Sequence, residues 1–363
     1  MQITLTFALA AFSYSFVENP IRQANWSTSK ITTIALGLFA AVSSGSILYL
    51  LNGGFRGALY TGTPAQMIAK GVESLMNQKW HAGNLIWRAP DCILSSDDDV
   101  GKPIDFDTCK LNQLTPPRPV FLVIGNSFSA AEFEMYSALA ETGVGSVVAT
   151  SSWAASPVSE IRNQSKWAAA ANDYYWNTVI PRLRSRLQPG DMLLMINDLN
   201  NFTPGTVTSE DEERLALLGM ALSRVADELK RNGVQIIFQT QNPLLREAYC
   251  TPDMAKVQWF KLERATCNYY TKAYSLTRIR GLREVLNGVR SAHPNFHILD
   301  LFPVLCPKES CRLYDTQGVP LYRDGDSHMS VEANYLARPL LLTAVNDALR
   351  SSGQRPRNET ASE

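Results

Sequence analysis

Three short stretches carry side chains that could act together on an acyl group. Gly125-Asn126-Ser127-Phe128-Ser129 follows an apolar run and puts a serine where a strand turns into a helix. A serine at such a turn exposes its hydroxyl, and the backbone N–H groups at the helix start can hold an oxyanion. Asn197-Asp198 follows a second apolar run, and the Asn197 amide can donate a further hydrogen bond to the same oxyanion. In Tyr322 to Ser330 (YRDGDSHMS), His328 has Asp326 two residues and Asp324 four residues before it. Those are the residue types of a general base and the acid that orients it. Each stretch alone has a plainer reading: Ser127 caps a helix, Asn197-Asp198 is a turn, His328 is a solvated loop histidine. Jointly they describe a serine enzyme. In such an enzyme the serine attacks, and a histidine with a carboxylate two or four residues before it is the base with its orienting acid. Asn197 and the Ser127 backbone form the oxyanion site. The remaining histidines, His81, His293 and His297, fit structural positions, and no cysteine shows CxxC spacing, so neither a metal nor another cofactor is expected.

These stretches need a scaffold, and the chain from Arg118 onward supplies one. Pro119–Ile124, Ser146–Thr150, Met192–Ile196, Val234–Gln239 and Phe296–Leu301 are short apolar runs suited to buried parallel strands. Helical patterns intervene at Ala130–Thr142 and Asp211–Arg231, the latter acidic at its start, basic at its end and closed by Asn232-Gly233. Val331–Arg350 is a closing helix. Strands alternating with helices imply an open, doubly wound α/β sheet, in which ligands bind beyond the carboxyl ends of strands. The last residues, 351–363, have the composition of a disordered tail.

The first fifty residues belong to a different solvent. Ile31 to Leu51 runs 21 residues without a charge, about 30 Å as a helix and enough to span a hydrocarbon core. The loop before it carries Arg22 and Lys30 against Glu18, which the positive-inside rule places in the cytoplasm. Residues 52–363 then lie on the far side. The six cysteines agree, since none precedes Cys92. In order they form neighbouring pairs, Cys92 with Cys109, Cys250 with Cys267 and Cys306 with Cys311, read as three local disulfides in an oxidising compartment. Residues 52–117 read as a juxtamembrane extension stapled by the first pair. Lys+Arg and Asp+Glu both number 34, which argues against a nucleic-acid partner.

These residues together resemble the SGNH (GDSL-like) esterase and acyltransferase superfamily. More narrowly, the chain is similar to the periplasmic SGNH domain fused to the C-terminus of bacterial type 3 membrane acyltransferases. Phe12 to Arg22 (FSYSFVENPIR) is similar to the "Y-x-F-[VI]-E-x-P-x-R" ending of that membrane domain, and helix 31–51 to the added span that follows it. The segment Leu299–Ser330, with Cys306 and Cys311, Pro320-Leu321-Tyr322-Arg323-Asp324 and Ser327-His328-Met329-Ser330, is similar to the closing segment of such domains. The resemblance implies a three-layer, flavodoxin-like α/β/α SGNH domain over 118–350, preceded by one or two transmembrane helices, with residues 1–22 as the last membrane helix and the rest of the membrane domain not represented. It also implies an O-acyltransferase, O-acetyl being the expected group, that modifies a cell-envelope polysaccharide through a serine acyl-enzyme. A membrane-anchored carbohydrate esterase and a non-catalytic glycan-binding domain are the alternatives. Its partners would be an acyl donor delivered through a membrane acyltransferase domain or subunit, a glycan acceptor and the bacterial inner membrane, with the SGNH domain in the periplasm. Three departures stand out. The resemblance makes Ser127 the nucleophile, Asn197 an oxyanion donor and His328 the base, but Asn126 and Phe128 flank the serine where Gly-Asp-Ser-His is usual. Gly325 stands three before the histidine where an acid is usual, so Asp326, preferred as nearer in sequence, or Asp324 must serve, or the dyad works without an acid. The second-block glycine has no single match among Gly143, Gly145 and the backbone near Ser152-Trp153.

Overall fold

Runs of β-branched and large apolar residues form strands when both of their faces are to be buried, and five such runs build the central sheet. They are β1 (Val120–Gly125), β2 (Ser146–Ala149), β3 (Met192–Ile196), β4 (Gln235–Gln239) and β5 (Phe296–Leu299). The computed structural model describes residues 11, 14–15, 19, 30–54, 79–82, 85–88, 91–112, 119–161, 166–204, 206–243, 271–317, 319–324 and 327–353. The expectations for residues 1–22, for Asp326 and for the tail beyond 353 therefore lie wholly or mostly outside the described residues. So does the expected disulfide between Cys250 and Cys267: Cys250 and Cys267 both fall in 244–270, outside the described residues. The strands pair in parallel in the order β2-β1-β3-β4-β5. Successive side chains of a strand point to opposite faces, and every residue of β2, β3 and β4 is buried, so both faces are covered.

The covering helices are α1 (Ser127–Ala131), α2 (Phe133–Glu141), α3 (Ser209–Arg231), α4 (Arg280–Ala292) and α5 (Val331–Ser351). Helix α2 packs on α5, and α3 packs on α4. This is the expected α/β SGNH-like architecture with a parallel sheet. Helix α3 starts with a capping box in which the Thr208 side chain accepts from the Asp211 N–H while Asp211 accepts from the Thr208 N–H. It carries Glu210, Asp211 and Glu212 in its first turn and Lys230 and Arg231 in its last, as the helix dipole favours. The helix expected over 130–142 is broken at Glu132, whose φ and ψ of −103° and 21° separate α1 from α2.

Residues 91–112, expected to lie outside the domain, belong to its sheet edge. Ile93–Leu94 pairs in parallel with Ser151–Ser152. The Leu111 N–H donates to Val147 O (2.7 Å) and the Ala149 N–H to Cys109 O (3.0 Å). Asn112 accepts from the Val147 N–H (2.9 Å) and donates to Gly145 O (3.1 Å). The segment thereby shields the edge strand β2 from pairing with another chain. Of the three expected disulfides, Cys92–Cys109 closes this segment and Cys306–Cys311 forms near the end of the domain. The structure thus bears on two pairs and not on Cys250 with Cys267.

Lys30–Gly54 is a 25-residue helix that carries no charge after Lys30. Its Ile34, Leu38, Phe39, Val42, Ile47 and Leu50 side chains are all exposed. Among the described residues no helix is long and apolar enough to cross a membrane. The expected span at 31–51 is thus found as a helix, and the structure does not establish it as transmembrane.

Candidate active site

The order of the strands decides where a ligand can sit. The chain goes from β1 to β2 on one side and then returns to place β3 on the other, so β1 and β3 flank the topological switch point where open α/β sheets bind ligands. Gly125 ends β1 opposite Ile196, the last residue of β3. A Cβ at position 125 would fall 1.7 Å from Ile196 O, so only glycine allows the two strand ends to approach this closely.

Asn126 then joins three loops. Its Oδ1 accepts from the Phe128 N–H and the Asp198 N–H, both at 3.1 Å, and its Nδ2 donates to Ala155 O at 3.1 Å. An aspartate here could accept the first two bonds but could not donate the third. The asparagine that departs from the usual pattern therefore fits its surroundings. With Asn126 as N-cap, Ser127 is the first residue of α1. The Ser129 and Ala130 N–H groups turn back to Asn126 O, and the Phe128 N–H goes to the Asn126 side chain.

Far along the chain come the partners of Ser127. His328 Nε2 lies 2.9 Å from Ser127 Oγ, and His328 Nδ1 lies 2.9 and 2.8 Å from the Asp324 carboxylate oxygens. The His328 N–H also donates to Asp324 Oδ1 at 3.2 Å, so the acid grips the histidine by ring and backbone. Ser327 between them has a φ of +70°, the left-handed turn that lets a residue four positions back reach the ring. The loop is held from outside by the Arg323 N–H donating to His328 O (3.0 Å) and the Ser330 N–H donating to Leu321 O (2.9 Å). Phe128, which also departs from the usual pattern, packs its ring 4.6 Å from the His328 ring, centroid to centroid. Burial works against the Asp324 carboxylate, but the His328 ring bond, the His328 and Arg323 charges and the His328 N–H outweigh it and hold its carboxyl below the usual range. Of the two acids considered, Asp324 is placed against His328, and Asp326 lies outside the described residues.

A cleft of about 390 Å³ opens over Ser127 and His328, walled by Trp153, Ala154, Trp167, Asn200 and Arg323. Ala154 has a φ of +59°, a conformation usual for glycine. Trp153 and Ala154 thus bring the loop after Ser152, one of the three alternatives for the second block, to the cleft that Ser127 lines. Gly143 and Gly145 sit at the other end of the sheet, Gly145 against Pro119 O and the Phe121 ring. Asn197 stands just past β3, 2% exposed, with neither amide atom hydrogen-bonded among the described residues. Asn200, three residues on, is one of the residues that line the cleft. His293 faces Asp227 (3.1 Å) and His297 faces Gln235 (3.1 Å), both away from this loop cluster. Among the described residues no group of three His, Cys, Asp or Glu side chains is placed to hold a metal ion.

One functional-looking residue had no signal in the sequence. Glu132, at the break between α1 and α2, is fully buried and accepts from Gln239 Nε2 and Asn242 Nδ2, each at 2.9 Å, through Oε1. Loss of solvent pushes its carboxyl up to about 7 against the pull of those two amide donors.

Two solved structures are similar to the chain at low identity. The periplasmic domain of a lipopolysaccharide acetyltransferase from Salmonella ser. Paratyphi A is 16% identical, with 62% of this chain and 82% of that one aligned at a TM-score of 0.45. A catalytic mutant of an acetylxylan esterase from Geobacillus stearothermophilus is 13% identical, with 67% and 98% aligned at a TM-score of 0.36. These are likenesses of fold alone. No curated protein matches the sequence. Residues 91–343, however, match the family described as SGNH domain (fused to AT3 domains), and that span begins where the Cys92–Cys109 segment joins the sheet edge. The chain belongs to this family of SGNH domains.

Proposed function

We propose that the domain is an O-acyltransferase, with acetyl as the group carried, that modifies a cell-envelope polysaccharide through a serine acyl-enzyme. The observation that carries this reading is the unbroken chain from Ser127 Oγ through His328 to Asp324, opening onto a cleft at the switch point. His328 Nε2 takes the Ser127 proton as Oγ attacks the acyl carbonyl, and Asp324 holds the ring and stabilises the imidazolium. The Ser127 N–H, the backbone at Ala154 and the Asn197 amide are the groups we assign to the oxyanion. Collapse of the tetrahedral intermediate breaks the bond to the donor's leaving group, which takes the proton from His328 and departs. A sugar hydroxyl then gives its proton to His328 and attacks the serine ester. The glycan ester leaves, and the proton returns to Ser127. The Asp324 carboxyl, held below the usual range, stays ionised throughout the neutral pH range.

The donor would arrive through a membrane acyltransferase domain or subunit, and the site would face the bacterial periplasm from the inner membrane. The exposed apolar side chains of Lys30–Gly54 and the Cys92–Cys109 and Cys306–Cys311 disulfides support that placement. A third disulfide, between Cys250 and Cys267, belongs to the same proposal. Recovery of the full chain in the supernatant after alkaline extraction of membranes would overturn the membrane placement.

In cells, Ser127→Ala should abolish acylation of the glycan. Unaltered acylation would sink the serine mechanism. A second reading, a carbohydrate esterase, is favoured by one feature: the triad is complete within the chain and needs no further group for water to replace the sugar. Hydrolysis of p-nitrophenyl acetate by the full chain, without glycan acetylation when it is paired with a membrane acyltransferase, would decide for the esterase.

A further inference from the structure

The wall of the cleft says what its second occupant is. Trp167 is 53% exposed, one of the few large aromatics of the α/β fold left so open, and it lines the same cleft as Ser127 and His328. Trp153 stands in that wall one residue before the left-handed Ala154, partly buried against the core, with its indole N–H unbonded among the described residues. Asn200, Asp198 and Arg323 line the same cleft. Asn200 Oδ1 has no hydrogen-bond partner among the described residues, and Arg323 spends its Nε on Asp324.

Three occupants can be weighed by chemistry. A long acyl chain would strip water from Asn200, Asp198 and Arg323 without replacing their hydrogen bonds, which costs about 1–3 kcal/mol per group. A phosphate or other strong anion would meet the Asp198 carboxylate beside Arg323. A pyranose ring suits the whole wall. Its C–H face is an apolar, weakly positive surface that lies against the negative face of an indole, and its hydroxyls both donate and accept, as an amide, a carboxylate and a guanidinium require together. A mostly apolar pocket with a few converging polar groups is the ordinary form of a small-ligand site, and about 390 Å³ falls within the usual range.

We infer that Trp167 and Trp153 form a sugar-stacking subsite that seats a pyranose unit of the acceptor beside Ser127, with Asn200 and Arg323 bonding its hydroxyls. This rests on the glycan-acyltransferase reading above and names the residues that would choose the acceptor. It also explains why an aromatic as large as Trp167 stays in water: its stacking partner is the substrate.

The test uses the full chain carrying Ser127→Ala, so that sugar binding is measured without turnover. It is titrated with xylopentaose, cellopentaose and maltopentaose, followed by indole fluorescence and calorimetry. At least one should bind saturably, and adding Trp167→Ala should weaken that binding by about tenfold, whereas Trp167→Phe should keep most of it. Trp167 is exposed, so its variants should fold, and an unchanged melting midpoint checks that. Binding of none of the three at about 10 mM, or equal affinity in Trp167→Ala, would overturn the subsite. Labelling of unaltered Ser127 by a fluorophosphonate probe reports separately on the serine mechanism. Labelling without sugar binding removes the subsite alone, and sugar binding without labelling removes the acyl-enzyme and leaves a binding domain.

Discussion

The two ends of the parallel sheet are made of similar residues and treated differently. At the amino ends of the strands, polar side chains stitch the backbone together. Asp191 accepts from the Val120 N–H (2.7 Å) and the Gln188 N–H (2.8 Å), tying the start of β1 to the turn before β3. Asn112 bridges both sides of β2, and Asn295 Nδ2 donates to Ala226 O and Val234 O. Only Asn295 Oδ1 among these atoms lacks a partner. At the carboxyl ends, Asn197, Gln239 Oε1, Thr240 Oγ1, Gln241 Nε2 and Glu132 Oε2 are all buried without one among the described residues. The left-handed residues Ala154 and Ser327 lie there as well. Each buried orphan costs about 1–3 kcal/mol, a load that folds tolerate where polar groups wait for a reaction. The contrast teaches that stability is concentrated at one end of the sheet and chemistry at the other.

The largest way to break this contrast is to alter the triad. Asp324→Asn should keep the turn but lose the charge that orients His328, lowering kcat about 10³- to 10⁴-fold with little change in the melting midpoint. His328→Ala should lower it similarly. A drop of less than tenfold in both, measured on p-nitrophenyl acetate, would mean that the Ser127–His328 contact of 2.9 Å is not the working one. A large fall in stability would mean that the carboxyl end also holds the fold.

Glu132 sharpens the contrast through pH. Its carboxyl rises from 4.5 in the unfolded chain to about 7 in the fold, because burial penalises the charge. The folded state therefore binds more protons than the unfolded one between those values. The stability this group allows is complete below about pH 4.5, is lost as pH rises towards 7, and stays lost above. For a shift of this size the loss is on the order of 3 kcal/mol. Glu132→Gln keeps the acceptor for Gln239 and Asn242 and removes the charge, so it should stabilise the protein at pH 8 and do little at pH 5. Burial also lowers the His297 pKa, against the pull of Asp347, which has the opposite sign of effect below about 6.5. The difference between variant and parent in urea midpoints across pH 5 to 8 is therefore the measurement. A difference that does not grow with pH would show that Glu132 is not buried as a charge.

Asp191 offers the opposite signature. Asp191→Ala orphans two backbone N–H groups at the amino end, costing about 2 kcal/mol, while kcat per folded molecule should hold. A kcat change beyond about threefold, roughly 0.7 kcal/mol on the barrier, would mean the two ends are coupled.

How far these ends could be read beforehand follows the same division. The five strands were legible because parallel strands covered on both faces are continuous apolar runs, as in MLLMI and VFLVI. Ser127 and His328 were legible because their residue types stand at a strand end and on a loop before a capped helix. The choice between Asp324 and Asp326 was not, since it turns on one left-handed residue, Ser327, with no compositional mark. That the loop at Ala154 lines the cleft was hidden because Ala154 occupies a conformation that a glycine would have announced. Residues 91–112 were placed outside the domain because their pairing with 146–152 is long-range and their mixed composition resembles a linker. The break at Glu132 left no trace, as a glutamate inside a helical pattern looks like any exposed helix residue until its burial is seen.

Ala154 provides the smallest and finest test. An L-residue in the left-handed region is strained by about 1–2 kcal/mol, and nothing in the chemistry of an alanine methyl offsets that. Ala154→Gly relieves the strain but also loosens the unfolded chain, which takes back about 0.4–1 kcal/mol, so the net gain should be at most about 1.6 kcal/mol, or a rise of a few degrees in the melting midpoint. Ala154→Val, branched at Cβ, should instead lose more than the glycine variant gains. If the strained turn serves to aim its backbone at the oxyanion, the glycine variant should gain stability and lose activity together, by about twofold to tenfold in kcat with KM little changed. A rise in both would assign the strain at Ala154 to packing around Trp153 and remove this loop from the oxyanion site.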